Sequence, residues 1–103
     1  MAHYLVTARP KKNLPELEKL LKEDALLKLR PFGKAITRSL NDARRTEDGR
    51  ATWEEEDYCV PPLAAERAAV LDRFFEDLAV EKVREGAGWS RIEAYPKLFT
   101  GLE

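Results

Sequence analysis

The chain is poor in the residues that announce specialised chemistry. It holds one cysteine, one histidine and one methionine in 103 residues. The single Cys59 excludes an intrachain disulfide, which suits a reducing compartment. There is no His-x-x-x-His, no cysteine pair and no regular Asp/Asn loop, so the sequence predicts no metal and no cofactor. Excess charge is lacking as well. Eighteen basic residues against nineteen acidic ones leave a net charge of −1, which argues against nucleic acid or an anionic membrane as partner. No run approaches the ~20 apolar residues of a membrane helix. The opening MAHYLVTARP lacks the basic start and long apolar stretch of a signal peptide. These absences predict a cytoplasmic protein. Repeats, low-complexity tracts and linkers are missing too, so residues 1–103 are expected to fold as one domain, with a tail over about 86–103.

What is present is a sign-mixed 36% of charged residues laid over clear apolar periodicities. HYLVTAR (3–9) is short, rich in β-formers and stopped by Pro10, which predicts a strand. In NLPELEKLLKED, Asn13 is a candidate cap, and Leu14, Leu17, Leu20 and Leu21 recur at helical spacing. Over 34–44 the period shortens to two, with Ile36 and Leu40 alternating with polar residues, which predicts a second strand. Asp48-Gly49 signals a hairpin into a third strand, RATWEEEDYCV. After Pro61-Pro62, a helix is expected over 63–78. Its stripe is Ala64, Ala68, Leu71, Phe75 and Leu78, widened by Val70 and Phe74, with Glu66 outside it. A last strand is expected over 79–84, followed by a tail that adds a short strand or packs its aromatics on a neighbour.

The order is β-α-β-β-α-β, the split βαβ or ferredoxin-like arrangement: two helices on one face of a four-stranded antiparallel sheet. Over residues 3 to about 84 the chain resembles the dimeric α/β-barrel superfamily in element order and length, without a family-specific motif. That superfamily includes cofactor-free monooxygenases, muconolactone-isomerase-like enzymes and haem-degrading enzymes. The resemblance implies a homodimer formed through the open sheet face, where Leu5, Ile36 and Leu40 would otherwise stay wet. It implies no particular reaction.

Four consecutive acids, Glu54 to Asp57, stand between Trp53 and Tyr58-Cys59. On a strand, Trp53, Glu55, Asp57 and Cys59 share one face, and Thr52, Glu54, Glu56 and Tyr58 the other. With Asp48-Gly49 as a two-residue loop, Arg44 would oppose Trp53 and Arg38 would oppose Cys59. Burying unpaired Glu55 and Asp57 against the helices would cost several kcal/mol, so both are expected on the face away from them. They would stand about 7 Å apart, too far to share a proton but suited to one base and one binding group. His3 or Arg9, on the neighbouring first strand, would approach them. The candidate catalytic residues are therefore Glu55, Asp57 and His3, and the candidate ligand-binding residues Arg9, Arg38, Trp53 and Tyr58. The plain alternative is a set of solvated acids paired with Arg38, Arg44 or Arg45, each pair worth ~0.2–1 kcal/mol. Cys59 reads as a small buried hydrophobe or as a thiol near a helix start.

A sheet face mixing Trp53, Leu5, Leu40 and Ile36 with acids and arginines predicts a homodimeric small-molecule binder or cofactor-free enzyme taking a small organic ligand. The alternative is a non-catalytic protein-interaction or assembly module. RNA binding is rejected, because an acidic third strand repels phosphates where a basic, aromatic one is needed.

Overall fold

The structure, a computed structural model, describes residues 2–102. β1 (Ala2–Pro10) ends where proline removes a backbone donor. α1 (Leu14–Lys22) carries proline in its first turn and sends Leu17 and Leu21 into the core. Next come α2 (Gly33–Asn41), β2 (Arg44–Arg45) and β3 (Ala51–Asp57). A helical stretch over 64–74 joins α3 (Ala64–Glu66), a π-helical turn (Arg67–Leu71) and α4 (Asp72–Phe74). β4 (Phe75–Val83) and α5 (Ala87–Ile92) complete the order. The four-stranded sheet runs β2-β3-β1-β4, and all its pairings are antiparallel. The architecture is α+β and compatible with a ferredoxin-like fold. Among the described residues, no helix is long and apolar enough to cross a membrane.

Three expectations change. The expected strand over 34–44 is mostly the helix α2. Ile36 and Leu40 lie four apart, a step that satisfies a helix as well as alternation, and both are fully buried on one side of α2. Only Arg44 and Arg45 remain extended. They pair with Thr52 and Ala51, which moves Arg44 off Trp53, and the turn becomes a longer loop over 46–50. The helix expected over 63–78 stops at Phe74, and Phe75 is already extended at φ −134° and ψ 153°. Its buried side is Glu66, Val70, Leu71 and Phe74, while Ala68 is exposed.

The third change concerns the faces of the sheet. Val6 pairs with Trp53 and Tyr4 with Glu55, and Val6, Ala8, Ala51 and Trp53 belong to the main core with Leu17, Ile36, Leu71 and Phe74. The Trp53 and Phe75 rings lie 5.1 Å apart at a tilt of 48°. Glu55 and Asp57 alternate with Trp53, so they point toward the helices rather than away from them. On the opposite face α5 packs over β3 and β1, burying Leu5, Thr52 and Glu54. The apolar side chains that motivated a face-to-face homodimer are thus covered within one chain. The tail forms a bridge from Lys97 to Arg44, and Leu98 and Phe99 enter the same core.

Candidate functional site

β3 sends its acids to two different places. On the α5 side, Glu54 takes its hydrogen bonds from backbone. Its carboxylate accepts hydrogen bonds from the N–H groups of Gly86 (2.8 Å), Gly88 (2.7 Å) and Trp89 (3.2 Å). Two glycines make this possible. Gly86 has φ +83°, where a side chain is strained, and a Cβ on Gly88 would stand 2.8 Å from Glu54 Oε1. His3 Nδ1 lies 3.6 Å from Glu54 Oε2, and its Nε2 lies 3.9 Å from Glu85 Oε1.

These groups border a cleft of about 410 Å³ between α2, β3 and the start of α5. Lys34 and Arg38, one turn apart on α2, form a basic wall. Glu56, Glu85 and His3 stand on the other side, and Ala35 and Trp89 supply apolar surface. Lys34 and Arg38 have no ion-pair partner among the described residues. Glu54 has both oxygens engaged by backbone, so Glu56 and Glu85 are the carboxylates left to meet a ligand.

On the helix side lies a second cluster. The Trp53 indole Nε1 donates to Glu55 Oε1 at 2.9 Å. Asp57 Oδ2 accepts from the Leu63 N–H at 2.5 Å and the Cys59 N–H at 3.1 Å, tying down the loop between β3 and α3. Leu63 sits at φ 64°, a left-handed conformation costing a non-glycine residue about 1–2 kcal/mol, which the bond to Asp57 offsets. Glu66 reaches into this cluster from α3. It lies within hydrogen-bonding reach of Glu55 and of Asp57, and its Oε1 is 4.0 Å from Cys59 Sγ.

Glu55 and Glu66 are each only 1% exposed. Burial, followed by the negative charge of its neighbours and despite the indole donor, pushes the Glu55 carboxyl well above its ordinary value. Glu66 is raised too, by burial first and then by Asp57. Asp57 goes the other way: burial alone would raise it, but the N–H groups of Leu63 and Cys59 and the carboxyl of Glu66 outweigh that and lower it. Asp57 is thus the anion of the group, and Glu55 and Glu66 are the carboxyls that burial holds toward the protonated form.

The residues singled out from sequence are therefore split. Glu55 and Asp57 do meet, with Glu66 between them. His3 and Arg38 share the cleft, on the other side of the sheet from that pair. Trp53 is core rather than cleft wall, although its N–H serves Glu55. Arg9 is exposed and pairs with Asp77 at 3.5 Å. Tyr58 is 72% exposed and does not line the cleft; it lies on the loop that follows Asp57. The residues that sequence reading missed are Glu66, Glu54, Lys34 and Glu85. Glu66 had a signal, since it lies three after Leu63 and four before Val70, on the stripe that ends at Phe74. Glu54 had none, because its donors are backbone groups 32 or more residues away. No protein-family model, no curated protein and no solved structure matches this chain, so its function is read from this geometry.

Proposed function

We propose that the protein binds a small organic ligand carrying both a carboxylate and a cationic or donor group, in the cleft between α2, β3 and the start of α5. One observation carries this: Lys34 and Arg38, without ion-pair partners among the described residues, border the same 410 Å³ space as Glu56 and Glu85. Ligand sites span roughly 300–1,000 Å³ and combine apolar wall with a few placed polar groups. Arg38 suits a carboxylate because its planar fork can donate two parallel bonds, and Lys34 adds a point charge one turn away. Glu56 and Glu85 suit an ammonium group opposite, and Trp89 supplies an apolar edge. His3, between Glu54 and Glu85, is the group that would pass a proton to or from such a ligand. The proposal thus covers a binder and a cofactor-free enzyme on an α+β frame with a four-stranded antiparallel sheet. It does not call for a dimer, since every group named comes from one chain.

Melting shifts measured against a panel of amino acids, monocarboxylic acids and amines test this. A zwitterionic ligand at about a hundred times its Kd should add ~2.7 kcal/mol of stability. Lys34→Ala with Arg38→Ala, both exposed positions, should remove that shift while leaving the unliganded protein folded. Equal shifts in the double variant, or none from any zwitterion, would defeat the proposal.

A further inference from the structure

We propose that Asp57, Cys59 and Glu66 form a binding site for one zinc-class divalent transition metal ion. The site lies under the loop over 58–62, on the opposite side of the sheet from the cleft, so it is independent of the ligand proposed there. Its basis is geometric. One carboxylate oxygen from each acid and the Cys59 sulfur all lie within 4.8 Å of one another. Ligand atoms around a tetrahedral zinc ion, with bonds of ~2.0–2.3 Å, stand roughly 3.3–3.8 Å apart, and the Cys59–Glu66 spacing is already 4.0 Å. The ligands come from the end of β3, the following loop and α3, so a modest movement of Cys59 on its loop closes the set.

A second observation points to the same place. Glu55 Oε2 and Glu66 Oε2 are buried and have no hydrogen-bond partner in the structure, on side chains only 1% exposed. Buried polar atoms without partners are rare and call for a proton or an ion to satisfy them. A cation among these groups would compensate the negative charge collected there. The thiolate and two carboxylates would bring three negative charges to a divalent ion. Glu55, tethered by the Trp53 indole, then acts as a positioning residue, the role that groups behind metal ligands commonly play. The mixed sulfur and oxygen set selects against calcium and magnesium, which take oxygen ligands. Cys59 is only half-buried, so the site reaches toward solvent at the sulfur ligand.

The test uses the full chain, freed of metal by a chelator and titrated with Co2+ and then Zn2+. One Co2+ per chain should bind with a sulfur-to-cobalt charge-transfer band in the near ultraviolet, and Zn2+ should displace it. Cys59→Ser should abolish the band, and Glu66→Gln should weaken Zn2+ binding by about tenfold or more. Glu55→Gln, which keeps the shape of the side chain and is not itself a ligand, should bind close to wild type. Glu66→Gln removes a buried charge and Cys59 is only half-buried, so both variants should fold, as circular dichroism checks. Absence of saturable binding, unchanged affinity in both ligand variants, or equal binding of Mg2+ would overturn the proposal.

Discussion

Glu55→Gln should make the metal-free protein more stable at alkaline pH and leave it nearly unchanged in acid. The substitution copies the protonated carboxyl in shape. Its amide oxygen can still accept the Trp53 indole N–H, and its NH2 takes the place of the protonated oxygen beside Glu66. What it removes is the ability to ionise. Below 4.5, the ordinary value for Glu, the side chain is protonated in both folded and unfolded chains, and the variant gains nothing. Above that pH the unfolded chain releases the proton while the buried carboxyl retains it. The native state then binds more protons than the unfolded one, so its stability falls with rising pH. The fall continues until the raised folded value is passed. The variant escapes it, and its advantage should grow through that window to the order of 1–3 kcal/mol, the penalty for a buried group left unsatisfied.

Urea unfolding between pH 4 and 9, followed by Trp53 fluorescence, gives the difference directly. Asp57→Asn supplies the opposite sign. The folded state holds Asp57 ionised below its ordinary 3.8, so its contribution is present above that value and lost as pH falls through the lowered one. That variant should lose about 1–3 kcal/mol at neutral pH, because the N–H groups of Leu63 and Cys59 lose a charged acceptor. The loss should shrink in strong acid. A Glu55→Gln difference that is flat from pH 4 to 9 would refute a buried, proton-holding Glu55.

Three further outcomes follow from the packing. Gly88→Ala should lower stability by ~1–3 kcal/mol in urea, because its methyl would stand 2.8 Å from Glu54 Oε1 and force the carboxylate off its N–H donors. Phe74→Ala should lose ~3–5 kcal/mol, since the ring is fully buried; a loss under about 1 kcal/mol would show that α4 does not pack as described. Light scattering at micromolar concentration should give the single-chain mass of 11.8 kDa, because Leu5, Ile36 and Leu40 are covered within one chain and the outer strand β4 carries Glu76, Asp77, Glu81 and Lys82. A dimer mass would restore the sheet-face pairing.

The parts of the fold legible in the sequence are those where one local pattern had one solution. β1 and α1 are such cases, as is the turn signal at Asp48-Gly49. α2 was misread because Ile36 and Leu40, four apart, serve a strand and a helix equally. What decides between them is tertiary: Gly33 lets the helix start lie against the carbonyls of Leu26 and Leu27, where a Cβ would come within 2.6–2.7 Å of both oxygens. Phe74 and Phe75 pose a different problem. Adjacent residues on a helix point about 100° apart, so a continuous helix would send the two rings in different directions. The backbone changes from helix to strand between them, and both rings enter the core.

The acidic run shows why the candidate site was only half visible. An isolated carboxylate is too costly to bury, so the residues of EEED were expected to share solvent. Each instead finds a different partner across the fold. Glu54 takes the N–H groups of the Gly86–Trp89 turn, and Asp57 takes those of Cys59 and Leu63. Glu55 keeps its proton beside the Trp53 indole and Glu66. Glu56 alone is left half-buried at the cleft, next to His3 across the β1–β3 ladder. Alternation along β3 was enough to separate Glu54 and Glu56 from Glu55 and Asp57. It could not say which side was dry, since that depends on whether backbone donors, an indole or a second carboxyl arrive from elsewhere in the chain. Burial of acids on both faces of one strand is stable here because Glu54, Glu55 and Asp57 each have a backbone or indole donor of their own. Substitution at 54 should therefore act independently of those at 55 and 57, whereas the latter two, which meet through Glu66, should be non-additive.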